Sequence, residues 1–552
     1  MQRRRFLQYL SLLGVSPKTL QAFSRLPDDI YSLPEFGNAT LLHFTDCHAQ
    51  LLPVYCREPG VNIGVGAKSG RPPHLTGKPF LDYFHIQPGT PKAYACSSVD
   101  FQELALKFGK MGGFAHLATL VKQFRDSRGV GNTLLLDGGD SWQGSATALW
   151  TKGQDMLAAC NLLGVNIMTG HWEFTYGSEQ VMANIARFNG EFIAQNVALS
   201  EEAQFASDAD SDRVFKPYVI RELDKARIAV IGQAFPYTPI ANPRRFIPDW
   251  QFGIQEQRLQ RLVDGIRKRR LADVVVLLSH NGMDVDLKLA SRVSGIDIIL
   301  GGHTHDAIPM PSIVKNSAGR TWVSNAGSHG KFLAVLDLDI KAGRLQDCRY
   351  HLLPVFANLL PADREMQQLI DTLRKPWLKK LRQPLGIADR LLYRRDTFHG
   401  SFDQLLLHAL MQVNDAQIAL SPGFRWGTTL LPGQAITLEE VMNQTAITYP
   451  ETYTRTISGR ELHAILEDVA DNLFHKDPYY RQGGDMVRVA GMTYACNLYA
   501  DRGRRISGIR LDNGELLEAG KSYKVSGWAS VASELSGKPI WDIVSTYLKN
   551  NR

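Results

Sequence analysis

The chain has 552 residues, is 44% hydrophobic and 21% charged, and carries a formal net charge of +7. That is too long for one ordinary core and too apolar for a disordered chain, so two large folded domains are expected. Basic residues are scattered apart from the first few positions and the short run Arg267-Lys268-Arg269-Arg270, which argues against a nucleic-acid-binding surface.

The chain opens with Arg3-Arg4-Arg5-Phe6-Leu7 and a short, weakly apolar run to Gly14. An arginine pair before Phe-Leu has the form of a twin-arginine export signal, and the run is too short to span a bilayer. We expect residues 1–27 to be that signal and the protein to be periplasmic, exported by the twin-arginine route.

From about residue 39 to 340, apolar runs alternate with helical patterns. The runs 40–45, 133–136, 165–169, 228–232, 274–278, 296–300 and 332–340 read as buried strands, because strands covered on both faces are continuously apolar. Helical spacing over 114–126, 155–163 and 255–270 separates them. The alternation points to an α/β or α/β/α layered domain, assigned to 38–355. Residues 53–110 are rich in Gly, Pro and polar types, so a long loop walling the site is expected there. Helical spacing over 362–375, stopped by Pro376, marks a connector within 356–385. A smaller α+β domain, 386–552, opens on a helical pattern at 402–413 and has another at 459–472. Six cysteines are present with no Cys-x-x-Cys pair, which fits neither a zinc ribbon nor a small disulfide scaffold.

The polar residues that end five of these runs carry the chemistry. They are Asp46-Cys47-His48, Gly138-Gly139-Asp140, Gly170-His171, Ser279-His280 and Gly302-His303-Thr304-His305. Ligands gather at the carboxyl ends of strands in open α/β sheets. Asp46, His48, Asp140, His171, His280, His303 and His305 therefore form a candidate ligand set for two transition-metal ions. Asp46-x-His48 and His303-x-His305 are each expected to present two ligands on one face of an extended segment, with Cys47 pointing away. Asp140 is expected to bridge both ions, and Asp306 to support a ligand from behind. Asn196, after Phe192-Ile193-Ala194-Gln195, is a candidate substrate contact or support for a ligand.

The order of these motifs resembles the calcineurin-like metallophosphoesterases in the 5′-nucleotidase arrangement. The segments Ser421-Pro422-Gly423-Phe424-Arg425-Trp426-Gly427, Leu431-Pro432-Gly433-Gln434 and Ser458-Gly459-Arg460-Glu461-Leu462 resemble the C-terminal substrate domain of those enzymes. The resemblance implies a layered α/β/β/α catalytic domain followed by a smaller substrate-binding domain. One motif departs. Nucleotidases read Gly-Asn-His-Glu-Phe-Asp where this chain reads Gly170-His171-Trp172-Glu173-Phe174-Thr175. His171 takes the place of the metal-binding Asn, and Trp172 and Thr175 replace the catalytic His and its Asp partner. An alkoxide leaving group benefits from a nearby acid, whereas a sulfur anion is stable near neutral pH.

With that departure, the whole motif set resembles the SoxB-type sulfate thiohydrolases. Thr45-Asp46-Cys47-His48-Ala49-Gln50-Leu51-Leu52-Pro53, Thr445-Ala446-Ile447-Thr448-Tyr449-Pro450 and Gln482-Gly483-Gly484-Asp485-Met486 carry the likeness. The resemblance implies release of sulfate from a cysteine-bound thiosulfonate on the SoxYZ carrier protein, by a water activated between two Mn²⁺ ions. Other divalent ions such as Zn²⁺ suit the same ligands. Arg425 would grip the sulfonate with paired donors, and Trp172 would shape an apolar wall. Tyr449, Tyr479 and Tyr480 are expected along a channel for the carrier's arm, with Gly483-Gly484-Asp485 against it. A periplasmic 5′-nucleotidase or other phosphomonoesterase is the alternative.

Overall fold

The computed structural model describes residues 30–207, 211–317, 319–532 and 536–551; the expected export signal lies outside them. Two six-stranded sheets form the first lobe. In one, Ala39–Phe44, Thr133–Asp137, Ile167–Met168 and Glu191–Phe192 run parallel in that order. Phe332–Lys341 and Arg344–Pro354 extend its other edge antiparallel. In the other sheet, Ala226–Gln233, Val274–Ser279, Ile298–Gly301 and Gly319–Asn325 are the parallel centre. The central strands are buried along their whole length, as continuous apolar runs require. Helices Glu256–Lys268 and Met283–Arg292 lay apolar faces on the second sheet, where Leu259, Val263, Leu289 and Ile299 join one buried cluster.

The second lobe is built on a mixed four-stranded sheet, in the order Thr452–Ser458, Ser522–Trp528, Ile418–Ser421, Arg488–Ala490. Helices Ser401–Val413, Leu438–Thr445 and Ile540–Asn550 pack on it. Helix Gly459–Phe474 starts at a reciprocal cap between Ser458 and Glu461. Between the lobes, helix Arg364–Arg374 passes through a 3₁₀ turn at Pro376 into Leu378–Leu381, so the proline redirects the connector. The fold is α/β with an α+β second lobe. Among the described residues, no helix is long and apolar enough to cross a membrane.

The 53–110 stretch differs from the expected loop. It carries helices Gly77–Tyr83, Pro91–Cys96 and Phe101–Phe108, each too short to show a clear period in sequence. Its first part ties the lobes together. Tyr55 bridges to Thr429, the Val61 N–H donates to Asp396 Oδ1 (2.9 Å), and Arg57 pairs with Asp396 (3.3 Å). Val65 is buried within the core of the second lobe.

Candidate metal centre

Three of the five motif-bearing strands belong to the first sheet and two to the second, so the site lies where the carboxyl ends of two sheets face each other. The loops leaving them are bonded to one another. Asp46 N–H donates to Gly139 O and His48 N–H to Asp140 O, both at 2.8 Å. The Asp46 carboxylate accepts from Thr45 Oγ1 (2.6 Å) and from the backbone N–H of His303 (3.0 Å). Gly302 permits that approach, since a Cβ there would lie 2.5 Å from Thr45 Oγ1 and 3.0 Å from Asp46 Oδ2.

All seven expected ligands are buried and fall into two groups, whose ligating atoms lie within 4.8 Å of one another. One group is Asp46, His48, Asp140 and His305; the other is Asp140, His171, His280 and His303. Asp140 stands in both, where a bridging carboxylate would stand. Two expectations about how the ligands converge are corrected. His303 and His305 do not serve one face but enter different groups. Nor does strand alternation align Asp46 with His48: Asp46 (φ 53°), His48 (φ 45°), Asp140 (φ 58°), His303 (φ 71°) and His305 (φ 59°) are all left-handed. Each such residue costs on the order of 1–2 kcal/mol, and strain of this kind concentrates at functional sites.

The donor set fits divalent cations. His280 Nδ1 lies 2.7 Å from Gly138 O and His303 Nε2 lies 3.2 Å from Gln482 O. Donation to those carbonyls leaves the inner nitrogen of each ring with its lone pair, as a metal ligand requires. Nε2 of His280 then has no hydrogen-bond partner although Asp140 Oδ2 is 3.1 Å away. His48 Nε2 and His305 Nε2 point at each other across 3.0 Å. Burial lowers His48 to about 4 and holds His303 and His305 well below the ordinary imidazole range, so these rings are neutral. The two buried carboxylates call for positive charge. Burial raises Asp46 to about 8, so it holds a proton at neutral pH. Burial opposes charge on His280, yet Asp140 and Asp46 raise it to about 10. Cations between these groups would take the place of those protons.

Glu173, given no role from sequence, is the clamp of the site. Its carboxylate accepts from the N–H groups of His171 (2.9 Å), Asp140 (3.1 Å), Ser141 (2.7 Å) and Trp142 (3.2 Å). His329 was also missed. Its ring lies 5.8 Å from that of His48 and 6.1 Å from that of His305, and its Nε2 accepts from Gly427 N–H of the second lobe (3.4 Å). The rule used for the other motifs would have found it, since Ser328-His329-Gly330 follows strand Gly319–Asn325.

A cleft of about 610 Å³ between the lobes is lined by Asp140, His171, Trp172, His303 and His305 of the first lobe and by Arg425 of the second. Trp172 N–H donates to Asp140 Oδ1 (2.7 Å), and its indole packs on His171 (5.0 Å) and edge-on to Phe424 (5.5 Å). Thr175 Oγ1 pairs with Thr448 Oγ1 at 2.6 Å. Arg425 is oriented by Asp485 Oδ1, which accepts from Nε at 3.2 Å. Asn196 does not face the cleft. Its amide donates to Ala234 O (2.8 Å) and Gly253 O (2.9 Å), and its oxygen accepts from Ala234 N–H (2.8 Å). It is no substrate contact; it positions Phe235, whose ring stacks on His171 (4.1 Å) and His303 (4.0 Å).

Of the three tyrosines, only Tyr449 lines the cleft; Tyr479 bonds Glu256 (2.6 Å) and Tyr480 is exposed. Asp306 faces Arg395 (3.9 Å) rather than backing a ligand. Gly483 lies against His303, where a Cβ would meet Nε2 at 2.1 Å, and Asp485 is spent on Arg425 and Arg488. All six cysteines are free thiols, and Cys47 is buried outside both ligand groups.

Residues 386–542 match the family model described as the 5′-nucleotidase C-terminal domain. By sequence the chain is 26% identical over 426 residues to the trifunctional nucleotide phosphoesterase YfkN of Bacillus subtilis, covering 69% of this chain and 28% of that one. It is 28% identical over 196 residues to the snake venom 5′-nucleotidase of Naja atra, 35% of each. The chain thus spans about a third of the length of these relatives. A 5′-nucleotidase precursor from Thermus thermophilus shares the fold, with a TM-score of 0.72 at 21% identity over 93% of this chain and 96% of that one. The sulfate thiohydrolase SoxB of Thermus thermophilus superposes with a TM-score of 0.89 at 37% identity, over 94% of this chain and 95% of the other. With that identity along nearly the whole of both chains, this 5′-nucleotidase-like metallohydrolase belongs to the SoxB family of sulfate thiohydrolases.

Proposed function

We propose that the protein is a periplasmic sulfate thiohydrolase that frees sulfate from a cysteine-bound thiosulfonate on the SoxYZ carrier, using two Mn²⁺ ions. The observation that carries this reading is the wall of the cleft beside His171. Where a nucleotidase places an imidazole and its carboxylate, this chain places the Trp172 indole, packed on Phe424, and a Thr175 hydroxyl bonded to Thr448. Neither can hand a proton to a departing alkoxide. A sulfur leaving group needs none, because it is stable as an anion near neutral pH.

Asp46, His48, Asp140 and His305 would hold one ion and Asp140, His171, His280 and His303 the other. Bound there, the pair supplies Lewis acidity and lowers the pKa of a water. Arg425, fixed through Nε by Asp485, offers its terminal nitrogens to the sulfonate oxygens. The water oxygen bonds to the sulfonate sulfur, the adjoining S–S bond breaks with its electron pair on the carrier's sulfur, and the water's two protons pass to solvent. Sulfate leaves. Trp172 shapes the apolar side of the cleft, and its backbone N–H holds Asp140 in register. A periplasmic phosphomonoesterase is the competing reading, favoured by the nucleotidase relatives. Incubating manganese-loaded protein with thiosulfonated carrier and, separately, with AMP separates the two. Sulfate from the first is expected; phosphate from the second without sulfate from the first would overturn the proposal.

A further inference from the structure

A second recess, of about 50 Å³, lies between the 62–74 stretch, the start of helix Met283–Arg292 and the second lobe. It shares a wall with the cleft: His303, Arg425, Gly483 and Gly484 line both. In that wall Gly483 packs on the His303 ring, whereas a Cβ at Gly484 would meet only Gly423 O, at 3.5 Å. Three of the residues around the recess have buried side-chain atoms without a partner in the protein, namely His74 Nδ1, Asp284 Oδ1 and Asp306 Oδ2. The opposite atoms of two of them are engaged, since His74 Nε2 sits 2.9 Å from Asp284 Oδ2, which also meets Arg481. Buried polar atoms are nearly always paired, and where protein gives no partner an ordered water does. Two of the three are carboxylate oxygens, which accept from water. The recess has room for about three waters. Asn62 and His74 are only half-buried, so bulk solvent refills it on that side.

We propose that this recess is a water chamber that feeds the metal centre past Gly484 while the carrier's arm fills the cleft. The inference rests on the reading of the substrate given above. Each turnover consumes one water, and a substrate borne on a protein arm closes the cleft against solvent where a small molecule would not. In crystals of the metal-loaded protein, ordered waters bonded to Asp284 Oδ1 and Asp306 Oδ2 are expected; a dry recess overturns the proposal whatever the substrate. Filling the chamber by Val285→Phe is expected to lower kcat on thiosulfonated carrier about tenfold, while turnover of a small soluble thiosulfonate stays within about twofold. Ile63→Trp, from the facing segment, repeats the test if Val285→Phe does not fold. Equal loss on both substrates, or loss on neither, overturns the chamber. Wild-type protein inactive on both would instead sink the proposed function, leaving the chamber to be decided by the crystallographic waters.

Discussion

The two ligand groups share Asp140 but hold their imidazoles by different means. In the group of His171, His280 and His303, two rings have their outer nitrogen at a backbone carbonyl, Gly138 O and Gln482 O. In the group of His48 and His305, no backbone carbonyl meets Nδ1 of either ring; Gln143 is the polar neighbour of His48, and packing holds the rest. His48 stacks on Trp426 (6.3 Å), and both rings flank His329. A hydrogen-bonded outer nitrogen fixes tautomer and orientation before the ion arrives; packing fixes position but leaves the tautomer free. The first kind of site should take its ion more tightly; both lean on the second lobe, the first through Gln482 O at His303 and the second through Trp426 and the Gly427 N–H.

The largest expected effect is on both groups at once. His280 at about 10 and Asp46 at about 8 each carry a proton at neutral pH in metal-free protein. Metal binding must expel both, so affinity should fall as pH falls, by up to about 100-fold per unit below pH 8. Calorimetry in buffers of different ionisation enthalpy should show close to two protons released per fully loaded molecule at pH 7. Release of none would mean that the cations do not replace these protons. Next comes Glu173→Gln, which turns an acceptor of four N–H groups into one with two donors of its own. It should weaken the His171-containing site by about 10–100-fold and the His48-containing site less, read by manganese titration. Equal weakening of both would remove the asymmetry.

A smaller effect probes the packed group. His329→Phe keeps a ring against His48 and His305 but removes the acceptor for Gly427 N–H and the Nδ1 contact to Ser328 Oγ (2.8 Å). One of the two ions should bind about tenfold more weakly and the other unchanged. If the ion beside His171 is the one lost, the two groups are not held as the geometry indicates.

The strands were legible because burial on both faces writes itself as an unbroken apolar run, and the ligands because each terminates such a run. How the ligands converge was not legible. Left-handed backbone at Asp46, Asp140 and His303 depends on loops from separate strands bonding to one another, and no local pattern encodes that. Glu173 was visible as a letter in a motif, but its four backbone partners lie on two loops far apart in sequence. The 53–76 tie to the second lobe was hidden for the same reason, since Asp396 and Thr429 gain their meaning only across the interface.

Asn196 is where sequence and structure part most sharply, and it gives the smallest effect on chemistry. Its side chain makes three hydrogen bonds to the backbone of Ala234 and Gly253, all in the interior. Asn196→Ala strands those groups, at a cost of about 1–3 kcal/mol in stability. Phe235 follows Ala234 and packs on one ring of each of two ligands, so its displacement would reach only the His171 and His303 side of the centre. Denaturant unfolding should show the stability loss, while kcat falls no more than a few-fold. A residue that touched substrate would behave the other way, with kcat falling by about 100-fold or more at unchanged stability. That result would return Asn196 to the cleft, and would mean that the side on which Phe235 stacks is shaped by substrate as well as by backbone.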